Sequence, residues 1–435
     1  MQIAAAGDRA LLVTLGDVTA AELHARAAAM RAAPHVIACV PGHSSLLIVF
    51  DGTPDVGQTL LSVPTDKSFC PTTHEIPVHF DGVDLDEFLT HTKQTLDAFL
   101  ERVPDLCLTA RYLGFRAGFA YLDGWPREWA MPRRATSRPV RRGSFAIAGD
   151  VAGFYPIDSP GGWNILGTTD VELENRFRAG DEVRIRVAEW ASRRVENPPM
   201  GNSTTRPLAD STTLLFGPLA TIVTPADWSR VERGLPEGGP FDDVAFEIVR
   251  AAVTNPIVLE CPMSAPRIRY HEKKTVAWFD GELRIERIEG EHSFGKVKHG
   301  LRGYLAIGDG PTDQPTNGPT RADRNVIQAI AGPHAIGLEQ LECDVTPKLD
   351  RVGIRMTPLQ RIDVAIPADL KSCGMLCGTV QLHPDGSIVA MGPDHPITGG
   401  YLMPMTVISS ERWKLAQLSP GERVTFVVTR SPSSS

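Results

Sequence analysis

The sequence predicts a mainly β protein with an α+β component: a small N-terminal α+β domain followed by two β-barrel domains. Three observations carry this. From Glu75 onward, short apolar runs are broken again and again by Gly and Pro, the pattern of a barrel or sandwich and not of a doubly wound sheet. An ordered set of glycine landmarks occurs twice along the chain. Ahead of both, residues 1 to about 72 alternate apolar runs with a single Ala-rich stretch, in the order strand, helix, strand, strand.

In the N-terminal segment the apolar runs are Ala10–Leu15, Val36–Val40 and Ser45–Val49, with a helix expected over Ala20–Ala33. Val63–Thr73 is polar and Pro-bounded, a linker by composition. A second domain is placed at 75–200, with a strand over Ile76–Phe80 and a helix over Asp84–Val103 whose first turns are acidic. Strands are expected at Arg111–Phe115, Gly118–Leu122, Gly143–Ala148, Gly153–Ile157 and Glu182–Val187. Ala191–Asp210, rich in Asn, Pro, Ser and Thr, reads as a second linker, and a third domain is placed at 212–435 with one helix over Phe241–Val253.

The repeat has three ordered landmarks. In the first unit they are Gly143-Ser144, then Ser159-Pro160-Gly161-Gly162-Trp163, then Gly180-Asp181-Glu182-Val183. In the second they are Gly378-Thr379, then Ile397-Thr398-Gly399-Gly400-Tyr401, then Gly421-Glu422-Arg423-Val424. Such ordered agreement marks a duplicated unit. Paired glycines let backbone pass close to another backbone or to a ligand, and the aromatic that follows sits at the barrel mouth.

Composition excludes several classes. With 42% hydrophobic and 22% charged residues the chain is an ordinary globular one. A net charge of −8 lacks the footprint of a nucleic-acid binder. No apolar run reaches the ~18 residues that span a bilayer, and no signal segment opens the sequence, so no membrane contact and a cytoplasmic location are expected. The cysteines, Cys39, Cys70, Cys107, Cys261, Cys343, Cys373 and Cys377, are odd in number and scattered, which suits a reducing compartment. Cys373 and Cys377 have no second ligand pair nearby, and no metal site is expected. Neither a Walker-type phosphate loop nor a biotin-attachment motif is present. The run from Arg133 to Arg142, with five arginines, reads either as an anion site or as a solvated face.

The stretch from Tyr112 to Leu122 (Tyr-Leu-Gly-Phe-Arg-Ala-Gly-Phe-Ala-Tyr-Leu), then Pro132-Arg133-Arg134, Gly143-Ser144, Ile147-Ala148-Gly149, Tyr155-Pro156 and Ser159 to Trp163, resembles the B-type component of 5-oxoprolinase, also called allophanate hydrolase subunit 1 or the kinase-inhibitor type. The second half resembles the partner family, the C-type component or allophanate hydrolase subunit 2. That likeness rests on Asp350-Arg351-Val352-Gly353-Ile354-Arg355, Gly378-Thr379-Val380-Gln381, Asp385-Gly386, Asp394 and Thr398 to Tyr401. Gly239 to Asp242, Asn255, Leu259-Glu260 and His299 to Leu305 add to it. A fused pair also resembles the carboxyltransferase region of urea carboxylase. The resemblance implies a cyclophilin-like barrel in each half. It implies an enzyme acting on a small cyclic amide or related carboxylate, as in ATP-dependent opening of 5-oxoproline to glutamate, with a separate hydrolase subunit as partner. The alternative it leaves is a repurposed or kinase-regulating protein that keeps the cleft without the chemistry.

The sequence departs from the family pattern at several points. Ala117 stands where the family has proline, and the histidine expected ahead of that motif is replaced near Arg102. Pro225 to Arg230 stands where the C-type family opens with its Gln-Asp-Leu-Gly-Arg stretch, Ile354 takes the place of an aromatic, and Asp309–Asn325 replaces a longer Gly/Ser/Arg-rich segment.

The candidate site follows from residue chemistry on these motifs. Asp394 and His395, with Asp350, are the acid–base candidates, and a structural hydrogen bond holding the loop is the other reading of Asp394 and His395. Arg351 and Arg355 are guanidinium forks suited to a carboxylate or phosphate, or else a salt-bridged strand pair. Gln381 suits a substrate amide or else is a solvated strand glutamine, and Thr398, Gly399, Gly400 and Tyr401 are the binding candidates of the loop that follows. In the first half Arg133, Arg134, Tyr121, Gly161, Gly162 and Trp163 are the substrate-binding candidates, and Glu260 and His299 complete the set. ATP is the co-reactant the resemblance implies.

Overall fold

The helix Ala20–Arg31 begins where the sequence writes a capping box: the Thr19 hydroxyl accepts from the Glu22 amide, and the Glu22 carboxylate accepts from the Thr19 amide at 3.0 Å. It packs on an antiparallel sheet of Gln2–Ala5, Ala10–Thr14, Ser45–Phe50 and Val36–Pro41, in that order, which forms the expected N-terminal α+β domain. The computed structural model describes residues 1–54, 70–116, 118–188, 206–209, 212–216, 219–312, 324–367 and 370–429. Ala117, most of the expected linkers Val63–Thr73 and Ala191–Asp210, and much of 309–325 lie outside the described residues.

The first barrel runs in the order Thr73–Val78, Glu182–Val187, Cys107–Leu113, Ala120–Asp123, Val151–Phe154, Ser144–Ala148 and Asn164–Thr168. His79 and Thr168 then exchange two backbone hydrogen bonds of 2.8 Å, bringing its first and last strands together. The second barrel, fully closed, follows the same path: Val326–Ala331, Arg423–Thr429, Gln340–Leu349, Gly353–Pro358, Ile388–Met391, Thr379–Leu382 and Leu402–Val407. Each has one parallel pair, its first strand beside its last in sequence, and is otherwise antiparallel. Closure leaves few bare strand edges.

The glycine landmarks fall at equivalent places. Gly143 donates to Tyr155 O at 2.7 Å and Gly378 to Met391 O at 2.8 Å; Gly180 donates to Ala110 O at 2.7 Å and Gly421 to Val345 O at 2.8 Å. All four have positive φ, between +79° and +99°, where a Cβ is strained. The double-glycine segments each close a two-stranded ribbon, Ser159–Gly161 with Arg138–Val140 and Thr398–Gly399 with Cys373–Gly374.

Two expectations on extent are corrected. The second barrel occupies Val326–Thr429, not everything from 212. Residues 206–312 form a sheet of their own around Arg267–Phe279, Arg302–Gly308 and Ile257–Pro262, covered by the helix Asp243–Ala252. Alternate residues of those strands face two separate cores, Trp278 and Leu305 on one side, Ala277 and Tyr304 on the other. The helix expected over Asp84–Val103 is two, Leu85–Thr92 and Leu96–Arg102. Lys93 turns into the left-handed region at φ +54° and the Thr95 hydroxyl caps the next start. One hydrophobic core is shared by the N-terminal sheet (Leu12, Leu47), the first barrel (Phe145, Leu113) and the second-barrel segment around Met375, Ile397 and Met403. Among the described residues no helix is long and apolar enough to cross a membrane.

The glycines give a direct test. Gly143 (φ +79°) and Gly149 (φ +62°) both need a left-handed backbone, but a Cβ on Gly143 would collide with the Thr169 carbonyl oxygen while one on Gly149 meets open space. Gly149→Ala should cost about 1–2 kcal/mol for the backbone alone. Gly143→Ala should lose at least ~1 kcal/mol more, because the clash adds overpacking. Urea unfolding of the two variants measures the difference.

Candidate functional site

The two barrels meet where backbone touches backbone. Leu113 ends a strand of the first barrel, and its carbonyl oxygen accepts from the Thr398 hydroxyl of the second at 2.9 Å. Gly114 permits this: a Cβ there would collide with the Thr398 side chain. The same turn holds Phe115 at φ +61°, a left-handed conformation that a bulky residue adopts only when its surroundings impose it. On either side of this contact each barrel presents a polar and aromatic surface.

The first-barrel wall is aromatic. Tyr121 stacks on Tyr112 with centroids 4.3 Å apart, and Trp163 packs edge-on against both Tyr121 (5.7 Å) and Phe119 (5.4 Å). Tyr155 stands behind them against Phe119. A Cβ on Gly161 would collide with the Tyr155 hydroxyl, and one on Gly162 would lie 3.0 Å from Arg133 Nε, so both glycines make room for side chains of this wall. Burial pushes the Tyr121 and Tyr155 phenols above their usual range and Tyr112 up to about 12, so all three remain neutral hydroxyls. Arg133 is exposed beside Gly162 and makes no ion pair among the described residues. Arg134 faces away from this wall: it reaches Asp84 at 3.0 Å and Glu87 at 3.1 Å, and its backbone amide donates to Gly162 O.

The second-barrel wall is polar. Gln381, Val389 and Arg355 are direct cross-strand neighbours, so their side chains share the outer face of the barrel, while Val380, Ile354 and Met356 fill its core. Gln381 is buried and its Nε2 donates to the Met375 sulfur at 3.3 Å. A Cβ on Gly399 would strike that amide nitrogen, so the glycine opens the approach to it. Tyr401 stacks on His383 at 4.3 Å. Arg355 donates to Ser387 Oγ at 2.6 Å and to Asp385 at 3.3 Å. Burial, then the charge of Arg355, hold the His383 imidazole below its ordinary pKa. Ser372 joins the walls, hydrogen-bonded to the Tyr112 hydroxyl and beside Gly400.

The remaining candidates lie elsewhere. Arg351 is a clamp: it donates to Asp394 at 2.7 and 3.0 Å, to Glu260 at 2.8 Å and to Gly239 O at 2.8 Å. Burial lowers its pKa, but the Asp394 hydrogen bonds and the Glu260 charge outweigh this and hold it above the usual range. Glu260 is fully buried and also accepts from Tyr304 and the Phe241 amide. His395 is buried, 3.2 Å from Glu237 of the middle sheet domain. The acid–base candidates are thus committed to joining domains. Asp350 caps its own turn by accepting from the Val352 and Gly353 amides. His299 is exposed and packs over the Gly281 turn, apart from Glu260. Tyr112, Ser372, Met375 and His383 belong to these two walls as well. Tyr112 opens the aromatic motif of the first half and Met375 lies just ahead of the Gly378 landmark. The i, i+2 spacing of Gln381 and His383 is the pattern that places both on a single strand face.

Comparisons with known proteins agree with this division. Residues 1–182 match the family described as carboxyltransferase domain, subdomain C and D, and 312–428 match carboxyltransferase domain, subdomain A and B. The chain is 31% identical over 225 residues to the B subunit of 5-oxoprolinase from Bacillus subtilis, covering 43% of this chain and 93% of the relative. It is 36% identical over 124 residues to the B subunit of 5-oxoprolinase from Haemophilus influenzae, covering 26% of this chain and 58% of the relative. A crystal structure of the protein TTHA0988 superposes with a TM-score of 0.77 over 97% of this chain and 99% of that one, at 22% identity, which shows a shared fold.

The His395–Glu237 pair predicts a pH dependence. Burial lowers the His395 pKa, but the Glu237 charge outweighs it and raises the value above 6.5; burial raises Glu237, but His395 outweighs it and holds it below 4.5. The histidine's contribution is therefore complete below 6.5 and lost as pH rises through its raised folded-state value. The glutamate's is complete above 4.5 and lost as pH falls through its depressed one. Glu237→Ala should cost about 3–5 kcal/mol, as removal of one buried partner does. Melting temperature against pH should lose its fall above 6.5 in that variant; an unchanged profile would show that the pair is not ionised.

Proposed function

The chain belongs to the family of fused 5-oxoprolinase B and C components, and from that premise we propose that its inter-barrel cleft binds and activates a small cyclic amide such as 5-oxoproline. The observation that carries this is Gln381: a buried primary amide, on a strand face opened by Gly399, whose N–H reaches only a thioether among the described residues. Sulfur is a weak acceptor, so a lactam carbonyl is the better partner for that N–H. The lactam ring would lie against Tyr121 and Trp163, whose faces suit a flat ligand. The substrate carboxylate would meet Arg355 or Arg133.

ATP is the proposed co-reactant. Phosphorylation of the lactam oxygen by ATP, releasing ADP, makes the ring carbon open to water; loss of phosphate and rupture of the C–N bond then give glutamate. Arg133, free of ion pairs among the described residues, is the cation placed to offset charge on the transferring phosphoryl group. Bond cleavage belongs to a separate hydrolase partner in this reading, because Asp394 and His395 are held by Arg351 and Glu237. That same engagement favours the second reading, a protein that binds in the cleft without catalysis.

Calorimetric titration with 5-oxoproline separates the contributions. Arg355→Ala should weaken binding roughly tenfold or more, since a charge-assisted hydrogen bond is worth about 1.5–3 kcal/mol, and Gln381→Ala roughly two- to tenfold, since a neutral one is worth about 0.5–1.5 kcal/mol, with the melting temperature little changed. Lost stability with unchanged affinity would make Arg355 structural. With a cognate hydrolase and ATP, glutamate should form; its absence with several such partners, while 5-oxoproline still binds, favours the non-catalytic reading.

A further inference from the structure

Away from the inter-barrel cleft, a cavity of about 280 Å³ opens where the N-terminal domain, the middle sheet domain and the second barrel meet. That is the lower end of the size of small-molecule sites. Its apolar walls come from all three units: Phe50, Phe246, Leu376 and Val407.

The charges on its lining mostly cancel locally. Asp8 accepts from the Ser409 amide and hydroxyl, Glu237 is held by His395, and Glu247 by Arg250. Arg9 donates to the Asp51 carbonyl. Two lining groups of opposite sign have no ion pair among the described residues, Arg412 and Asp243. Arg412 is partly buried; its stem crosses Gly378, and its hydrogen-bond partner in the wall is the Cys377 thiol. A guanidinium carries five N–H donors, and the thiol is a weak partner for one of them. Asp243 is exposed at the first turn of its helix and, among the described residues, accepts from the Val244 amide.

We infer that this cavity is a second binding site, for an apolar α-amino acid whose carboxylate pairs with Arg412, whose ammonium faces Asp243 and whose side chain lies on the Phe50–Phe246 wall. A simple anion fits poorly, because the carboxylates of Asp8, Glu237 and Asp243 line the same cavity as Arg412. A simple amine leaves Arg412 unpaired. Only a ligand carrying both charges satisfies both groups. The site joins three units, so a ligand held there favours their assembled arrangement and raises the unfolding temperature.

The test uses the full chain and three probes: L-leucine, 4-methylpentanoate, which lacks the amine, and 3-methylbutylamine, which lacks the carboxylate, with inorganic phosphate as a fourth arm. Leucine should bind by calorimetry and raise the melting temperature, and each half-molecule should bind at least tenfold more weakly. Arg412→Gln and Asp243→Asn should each weaken leucine binding tenfold or more. If Arg412→Gln fails to fold by circular dichroism, Asp243→Asn decides, since that side chain is exposed and the helix keeps its Asp242 cap. No leucine binding at millimolar concentration, equal binding of a half-molecule or of phosphate, or unchanged affinity in the folded variants would overturn the proposal.

Discussion

The single contact on which the cleft depends is the one between Thr398 and the Leu113–Gly114 turn. It is a hydrogen bond of 2.9 Å from a side chain of one barrel to the backbone of the other, and a glycine makes it sterically accessible. The hydrophobic core reinforces it, because Leu113 and Ile397 belong to one cluster that also takes in the N-terminal sheet. With that register fixed, the Tyr112–Tyr121–Trp163 wall and the Gln381–Arg355 face are held beside each other. Rigid elements place both walls, the condition for a preorganised site.

A second set of contacts ties the middle domain to the second barrel. Arg351 reaches Glu260 and Asp394 together, His395 reaches Glu237, and Gln417 donates to Asp242 at 2.6 Å while accepting from the Leu301 and Arg302 amides. Glu237, Glu260, Asp242 and His395 are buried in these contacts, and a buried ionic contact of this kind specifies one arrangement more than it adds stability. The consequence for chemistry is direct. Groups that look like an acid–base pair along the sequence are consumed in positioning, and the cleft keeps donors, aromatics and cations. The proposed binding of an amide rests on that inventory.

Much of this was legible in the sequence. The glycine landmarks located both barrels, because a positive φ or a close approach restricts the residue type sharply enough to be read without a structure. Trp163 and the Gly399–Tyr401 loop belong to those landmarks, and Tyr121 and Gln381 lie on strands beside them. The engagement of Arg351 and His395 was not, because their partners Glu260 and Glu237 are 91 and 158 residues away. Nor was the separate middle domain. Its strands have the same short-range pattern as barrel strands, and only their pairing, such as Trp278 opposite Leu305, sets them apart. The break at Lys93 carries no signal of its own, because no glycine or proline marks it.

If the cleft between the barrels is where a lactam binds, a crystal structure of the chain with 5-oxoproline shows it most directly. The ligand should lie between Trp163 and the Gly399–Tyr401 loop, with its ring oxygen within hydrogen-bond distance of Gln381 Nε2 and that amide turned away from Met375. A ligand bound anywhere else, with Gln381 still on the Met375 sulfur, would contradict this assignment.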